Sequence, residues 1–253
     1  MKSKLILSLV ALALIPQIAF AADTQILPDI AINIGGSNLT SDGTLSASLK
    51  IVFLMTALTF VPAMILTMTC FTRIAVVLGM VRTALGTASL PPNTVITGLA
   101  LFLTIAIMQP VYTEMYNEGM KPYLDGTMGD KEALEKGSAP LKRFLVRHSR
   151  DKDLALFLEI TKSSIPEDEN DVPFHVAVPA FILSELKVAF QIGFLIMLPF
   201  LVLDMVVSSV LTSMSMITLP PVVISMPLKL MLFVVVDGWH LIVASLVQTY
   251  HTG

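Results

Sequence analysis

TSMSMITLPPVVI, residues 212–224, has a counterpart in TALGTASLPPNTV, residues 83–95. Superposed at an offset of 129, the two stretches match Thr83 to Thr212, Leu90 to Leu219 and Pro91-Pro92 to Pro220-Pro221. Adjacent prolines lack two N–H donors and push the preceding residue into extended backbone, so no regular helix runs through either site. Each Leu-Pro-Pro therefore predicts a hairpin tip or a sharp kink between two apolar helices, marked by Pro91 and Pro92 in the first block and Pro220 and Pro221 in the second.

The flanks are apolar enough for that reading to mean a membrane. Of 253 residues, 55% are hydrophobic and only 14% charged, with a mean hydropathy of +0.80; an ordinary soluble domain carries about 25% charged residues. Between Ile51 and Tyr112 the only formal charges are Arg73 and Arg82. That leaves room for two segments of about 20 apolar residues, the length that crosses hydrocarbon, expected near 50–71 and 94–112. From Val176 to Tyr250 the apolar character returns, punctuated by Glu185, Lys187, Asp204, Lys229 and Asp237. Charges in apolar helices are costly against lipid and face a protein interior or a wet cavity.

Residues 113–175 are different material. They hold 22 of the 35 charges, and Leu141, Phe144, Leu145, Leu154, Phe157 and Leu158 recur at three- and four-residue steps, which predicts an amphipathic helix or helix pair lying on an apolar surface. At the N-terminus, MKSKLILSLVALALIPQIAFA has the charged start, apolar run and Ala-x-Ala site of a secretory signal peptide. The resulting division is signal peptide 1–21, extracytoplasmic lead-in 22–48, first helical hairpin 49–112, charged periplasmic insert 113–176, and second hairpin with its tip loop 177–253. The expected fold is an all-α membrane protein of two long kinked helical hairpins joined by a charged helical insert. With the mature N-terminus outside, simple alternation puts both tips on the cytoplasmic side.

Several chemistries are excluded. Cys70 is the only cysteine, no glycine-rich phosphate cradle is present, and no nucleophile and base stand at helical spacing. No enzyme and no cofactor are expected. A net charge of −3 offers no basic stripe for nucleic acid. Met214 and Met216 are soft thioether ligands of the kind that select Cu(I), yet no histidine or cysteine stands beside them; the acidic run at 167–171 fits no EF-hand spacing. Glu185 and Lys187 lie about 200° apart on their helix and cannot pair with each other. Glu185 must find a cation elsewhere, and Lys229 is the candidate, within the chain or across a subunit boundary. Two hairpin repeats with broken helices and buried charges also describe a secondary transporter or ion carrier.

PAFILSELKVAFQIGF (179–194), LPFLVLDMVVSSVL, LPP and PLKLMLFVVVDGWHLIVASL, together with FTRIAVVLGMVRTALGTASLPPNTVITGLALFLT in the first block and DVPF before the second, resemble the FliP family of flagellar biosynthetic proteins. The resemblance covers residues from about 48 to 250. It implies a non-enzymatic subunit of the type III export gate: a pentamer assembled with FliQ and FliR into a helical ring around a pore, beside FlhB and FlhA, passing unfolded flagellar subunits. The setting it implies is the flagellar basal body in a bacterial inner membrane, surrounded by lipid, with the hairpins largely raised to the periplasmic side. It further implies that Met214 and Met216, with Ile217 where family members often continue with methionine, form a pore gasket, and that Glu185 and Lys229 form an intersubunit salt bridge. Unbranched methionine is apolar enough to hold water out and flexible enough to repack.

Overall fold

A computed structural model describes residues 44–87, 90–163, 166, 168–216 and 219–251. The signal peptide, the lead-in as far as residue 43, and Ile217 lie outside the described residues. The chain divides into two compact units, 1–59 and 60–253. Among the described residues every regular element is helical, and the protein is an all-α membrane protein. Asn93–Leu124 and Phe174–Ser213 are each long and apolar enough to cross a membrane, and two bent helix pairs would raise the number to four.

In the first unit, residues 44–59 belong to helix α1 (Thr44–Thr67). Ile51, Phe53, Met55 and Leu58 are all exposed, as suits a helix whose apolar residues run all round its circumference and meet lipid or a partner. The second unit begins within α1 and carries the core.

α1 ends where Thr67 and Thr69 turn their hydroxyls onto the carbonyls of Met64 and Leu66, both at 2.9 Å. Side chains that bond back to the turn before them compete with the helix, and the chain breaks at 68–70. The expected span 50–71 is corrected accordingly: α1 stops at Thr67, and a separate helix, α2 (Phe71–Ala84), precedes the first Leu-Pro-Pro. α2 buries Arg73, Ile74, Val77, Leu78, Val81 and Ala84, one face at three- and four-residue spacing, against α3 (Asn93–Met115) and α7 (Phe174–Ser213).

α3 continues through a π-helical turn, Tyr116–Met120, into the short α4 (Lys121–Leu124). The turn presses against α5 (Asp130–Arg147) so closely that a Cβ on Gly119 would sit 2.4 Å from Gly137 Cα and 2.8 Å from the Ala133 carbonyl oxygen. α5 and α6 (Asp151–Thr161) are the amphipathic pair of the insert. Phe144 and Leu145 are buried, and Leu141, Leu154, Phe157 and Leu158 pack on the core. Each fully buried side chain of this size contributes about 1.5–3 kcal/mol.

α7 has 40 residues, a length of about 60 Å at 1.5 Å per residue, roughly twice the hydrocarbon thickness. Its first half is seated on α2 and α6; beyond Phe190 it turns Phe194, Leu195, Leu201, Val202, Met205 and Val206 outward. It packs against α8 (Pro221–Val235), which breaks at Asp237 and meets α9 (Gly238–His251) at 62°.

The two Leu-Pro-Pro sites share one construction. After α2, Gly86 adopts φ +74 and its N–H reaches the Thr83 carbonyl at 3.0 Å; after α7, Ser215 adopts φ +59 and its N–H reaches Thr212 at 3.0 Å, while the Met216 N–H closes onto Leu211 at 3.1 Å. This is a left-handed helix cap. Gly86 and Ser215 are equivalent under the offset of 129, so the repeat extends to backbone conformation. The sites then diverge by one residue: Pro92 runs extended (ψ 150) into α3, whereas Pro220, the equivalent of Pro91, runs extended (ψ 122) into α8, which starts at Pro221.

Two glycine substitutions and one serine substitution test this packing. Gly119→Ala is expected to cost about 1–3 kcal/mol through overpacking, whereas Gly79→Ala, with open space around its Cβ, should gain up to about 1 kcal/mol in helix propensity. Ser215→Gly, which relieves a left-handed side chain, should stabilise by about 1 kcal/mol. Thermal unfolding in one detergent, compared across the three variants, reads all these effects.

Candidate functional site

The two tips differ in where they leave their side chains. Leu85, after α2, is 2% exposed, and Gly86 lies 3.9 Å from Met226 Cγ measured from its would-be Cβ. The equivalent of Leu85 is Met214, which is 63% exposed, and Met216 is 39% exposed. Residues 212–216 are all exposed. One copy of the motif sets its cap residue Leu85 into the core, and the other leaves Met214 largely exposed and Met216 partly so.

Toward the starts of α2 and α7, away from the tips, sits a buried ionic cluster. The Arg73 Nε donates to Glu185 Oε2 at 2.9 Å and its Nη2 donates to Oε1, a two-pronged pair. Arg73 also donates to the Thr249 hydroxyl at 3.2 Å. The Tyr250 hydroxyl donates to Glu185 Oε2, and the Arg73 guanidinium lies 4.1 Å from the centre of the Tyr250 ring. Glu185 is fully buried and Arg73 only 4% exposed. Three helices, α2, α7 and α9, are thus tied by one carboxylate.

Lys229 is engaged elsewhere, donating to Asp204 Oδ2 at 2.5 Å. The expectation that Glu185 and Lys229 pair within the chain is therefore corrected: Arg73, 112 residues away in sequence, reaches Glu185 first, and Lys229 takes the carboxylate of its own hairpin. Lys187 and Asp237 are exposed. In the sequence Arg73 stands out as an isolated charge but has no evident partner, and nothing marks Tyr250; the signal that could have paired Arg73 is its place on the apolar face with Val77 and Val81, which obliges an inward-facing cation to meet an acid.

A second polar lock fastens the insert. The Ser184 hydroxyl donates to Asp153 Oδ2 at 2.5 Å and accepts the Arg150 backbone N–H at 2.9 Å, while Arg150 donates through Nε and Nη2 to Asp153 at 2.8 and 2.9 Å. Burial raises the Asp153 pKa, but the Ser184 hydrogen bond and the Arg150 charge outweigh it and hold the carboxyl below its ordinary value. Among the described residues no group of three or more His, Cys, Asp or Glu side chains is placed to hold a metal ion.

The model of the FliP family matches residues 54–246. The chain belongs to the FliP family. Among similar proteins, each bearing the name flagellar biosynthetic protein FliP, that of Bacillus subtilis is 52% identical over 205 residues, spanning 81% of this chain and 93% of the relative. That of Caulobacter vibrioides is 44% identical over 98% of this chain and 90% of its own, and that of Aquifex aeolicus 41% identical over 88% and 92%. The matched span contains both tips, both ion pairs and the insert, and stops short of Tyr250.

Removing one partner of the buried pair leaves an uncompensated charge. Arg73→Met is expected to cost about 3–5 kcal/mol, and adding Glu185→Leu should restore most of it, as a double-mutant cycle of unfolding free energies would show. Asp153 gives a pH dependence. Its folded pKa is depressed, so its contribution is present above the ordinary carboxylate value of about 3.9 and lost as pH falls below it. Asp153→Asn should flatten that part of the stability profile.

Proposed function

We propose that the chain is a pore-forming core subunit of the flagellar type III protein export gate, passing unfolded flagellar subunits across the bacterial inner membrane. The observation that carries this reading is the contrast between the tips: a buried Leu85 in one copy and an exposed Met214 in the other. Exposed thioethers, at the end of a hairpin whose flanks leave many apolar side chains exposed, suit a seal assembled from several copies. In that role Met214, Met216 and Ile217 form a gasket, apolar enough to exclude water and flexible enough to repack around a passing chain. The gate copies form a pentameric ring with FliQ and FliR, next to FlhB and FlhA, at the flagellar basal body, with much of the mass on the periplasmic side.

The charges of the second hairpin favour a gate subunit over a carrier. A carrier needs polar groups aimed at a substrate, whereas Glu185 is spent on Arg73 and Tyr250, and Lys229 on Asp204. An intersubunit bridge between Glu185 and Lys229 belongs to the proposed ring as an alternative pairing: it forms when Glu185 leaves Arg73 and Lys229 leaves Asp204. This makes ring closure an exchange of partners rather than a capture of free charges.

The first test is the native mass of the detergent-extracted protein expressed with FliQ and FliR. A particle holding several copies of this chain is expected; a monomer or dimer without partners would return the reading to a carrier. Within such a particle, Met214→Ala combined with Met216→Ala should make cells leaky to small ions, and an unchanged membrane tightness would remove the gasket.

A further inference from the structure

His148 caps the C-terminal end of α5, outside the membrane-crossing helices. Its Nδ1 lies 2.9 Å from the Phe144 carbonyl. A carbonyl only accepts, so in the neutral ring Nδ1 carries the proton and Nε2 presents a bare lone pair. That Nε2 is buried and has no hydrogen-bond partner among the described residues. The imidazole is packed between aromatic rings, 4.4 Å from the Phe144 centroid and 5.2 Å from that of Tyr250.

Every element around it adds to the electrostatic account. α2 contributes Arg73, whose guanidinium already lies on the Tyr250 ring. α5 contributes Arg147. α9 contributes the Tyr250 hydroxyl and, as a weaker influence that favours the protonated ring, the Tyr250 backbone carbonyl, and α7 contributes Glu185, whose two oxygens are taken by Arg73 and Tyr250. A proton on His148 would therefore bring another cation to a cluster with one anion, and that anion is already occupied.

We propose that His148 is an acid-sensitive latch: neutral, it packs on Tyr250 and keeps α9 closed over the Arg73–Glu185 pair; protonated, it loosens α9 and frees that pair to exchange partners. Burial pushes the His148 pKa below the ordinary imidazole value; the carbonyls of Phe144 and Tyr250 act in the opposite sense, and Arg73 and Arg147 push it further down. The sign follows. Above the ordinary value of about 6.5 the ring is neutral whether α9 is closed or open, and the contact has full strength. Below it, the open state binds the proton more readily than the closed state, so acidification favours opening. The latch links the charged insert to the buried carboxylate through Tyr250, the residue that touches both.

Hydrogen–deuterium exchange of residues 238–251 in the full chain, corrected for intrinsic exchange and followed from pH 8 to pH 5, tests the latch. Protection of this segment should fall several-fold below pH 6.5 in the wild type. It should be independent of pH in His148→Gln and in His148→Phe, the latter keeping an aromatic ring on Tyr250, while His175→Gln, an exposed histidine, should keep the wild-type profile. A flat wild-type profile overturns the proposal, and so does an unchanged response in either His148 variant. Should neither His148 variant fold, the wild-type profile decides with two controls, His175→Gln and His240→Gln, the latter an exposed histidine inside the measured segment: a response lost in either control overturns the proposal.

Discussion

A guanidinium and a carboxylate facing one another in an apolar interior persist only together, because the loss of water costs each several kcal/mol and mutual attraction with good geometry is what offsets it. Arg73 and Glu185 meet that condition with two parallel hydrogen bonds, and Thr249 and Tyr250 add one bond each. The pair fixes more than its own residues. It sets the rotation of α2, whose Ile74, Val77 and Val81 must then face α7, and it sets the depth at which α9 returns across them. Hydrophobic packing alone is tolerant of a helix sliding or turning by part of a residue; a two-pronged ion pair is not.

The architecture was legible in the sequence wherever the signal was local. Two Leu-Pro-Pro breaks, two apolar blocks and the three- and four-residue rhythm of Phe144, Leu145, Phe157 and Leu158 all follow from backbone chemistry and periodicity. The break at 68–70 was not legible, since it carries neither glycine nor proline and depends on threonine hydroxyls bonding backward. Nor was the partner of Glu185, because Arg73 lies 112 residues away and only tertiary packing brings them together. The same limit applies to the tips: their sequences are nearly parallel, yet nothing in them says that Leu85 is enclosed and Met214 is not.

The surface divides the molecule into a settled part and an unsettled part. α2, the start of α7 and the insert form a packed body in which Arg73 pairs with Glu185, and Arg143 with Glu114, across helices. Beyond Phe190, α7 and α8 offer apolar side chains on nearly every turn. Methionine and valine in such positions tolerate rearrangement of whatever lies on them. The chain is therefore firm where it is closed upon itself and adaptable where its apolar side chains stand exposed.

The left-handed cap at Ser215 has an evolutionary consequence. The turn there is held by main-chain hydrogen bonds from Ser215 and Met216 to Thr212 and Leu211, and no side chain of 214 or 216 is needed to keep its shape. Mutation can therefore alter the chemistry of the tip without disturbing the fold that presents it. A lineage is free to adjust the softness and bulk of this loop residue by residue, while Leu85, enclosed in the core, has no such latitude.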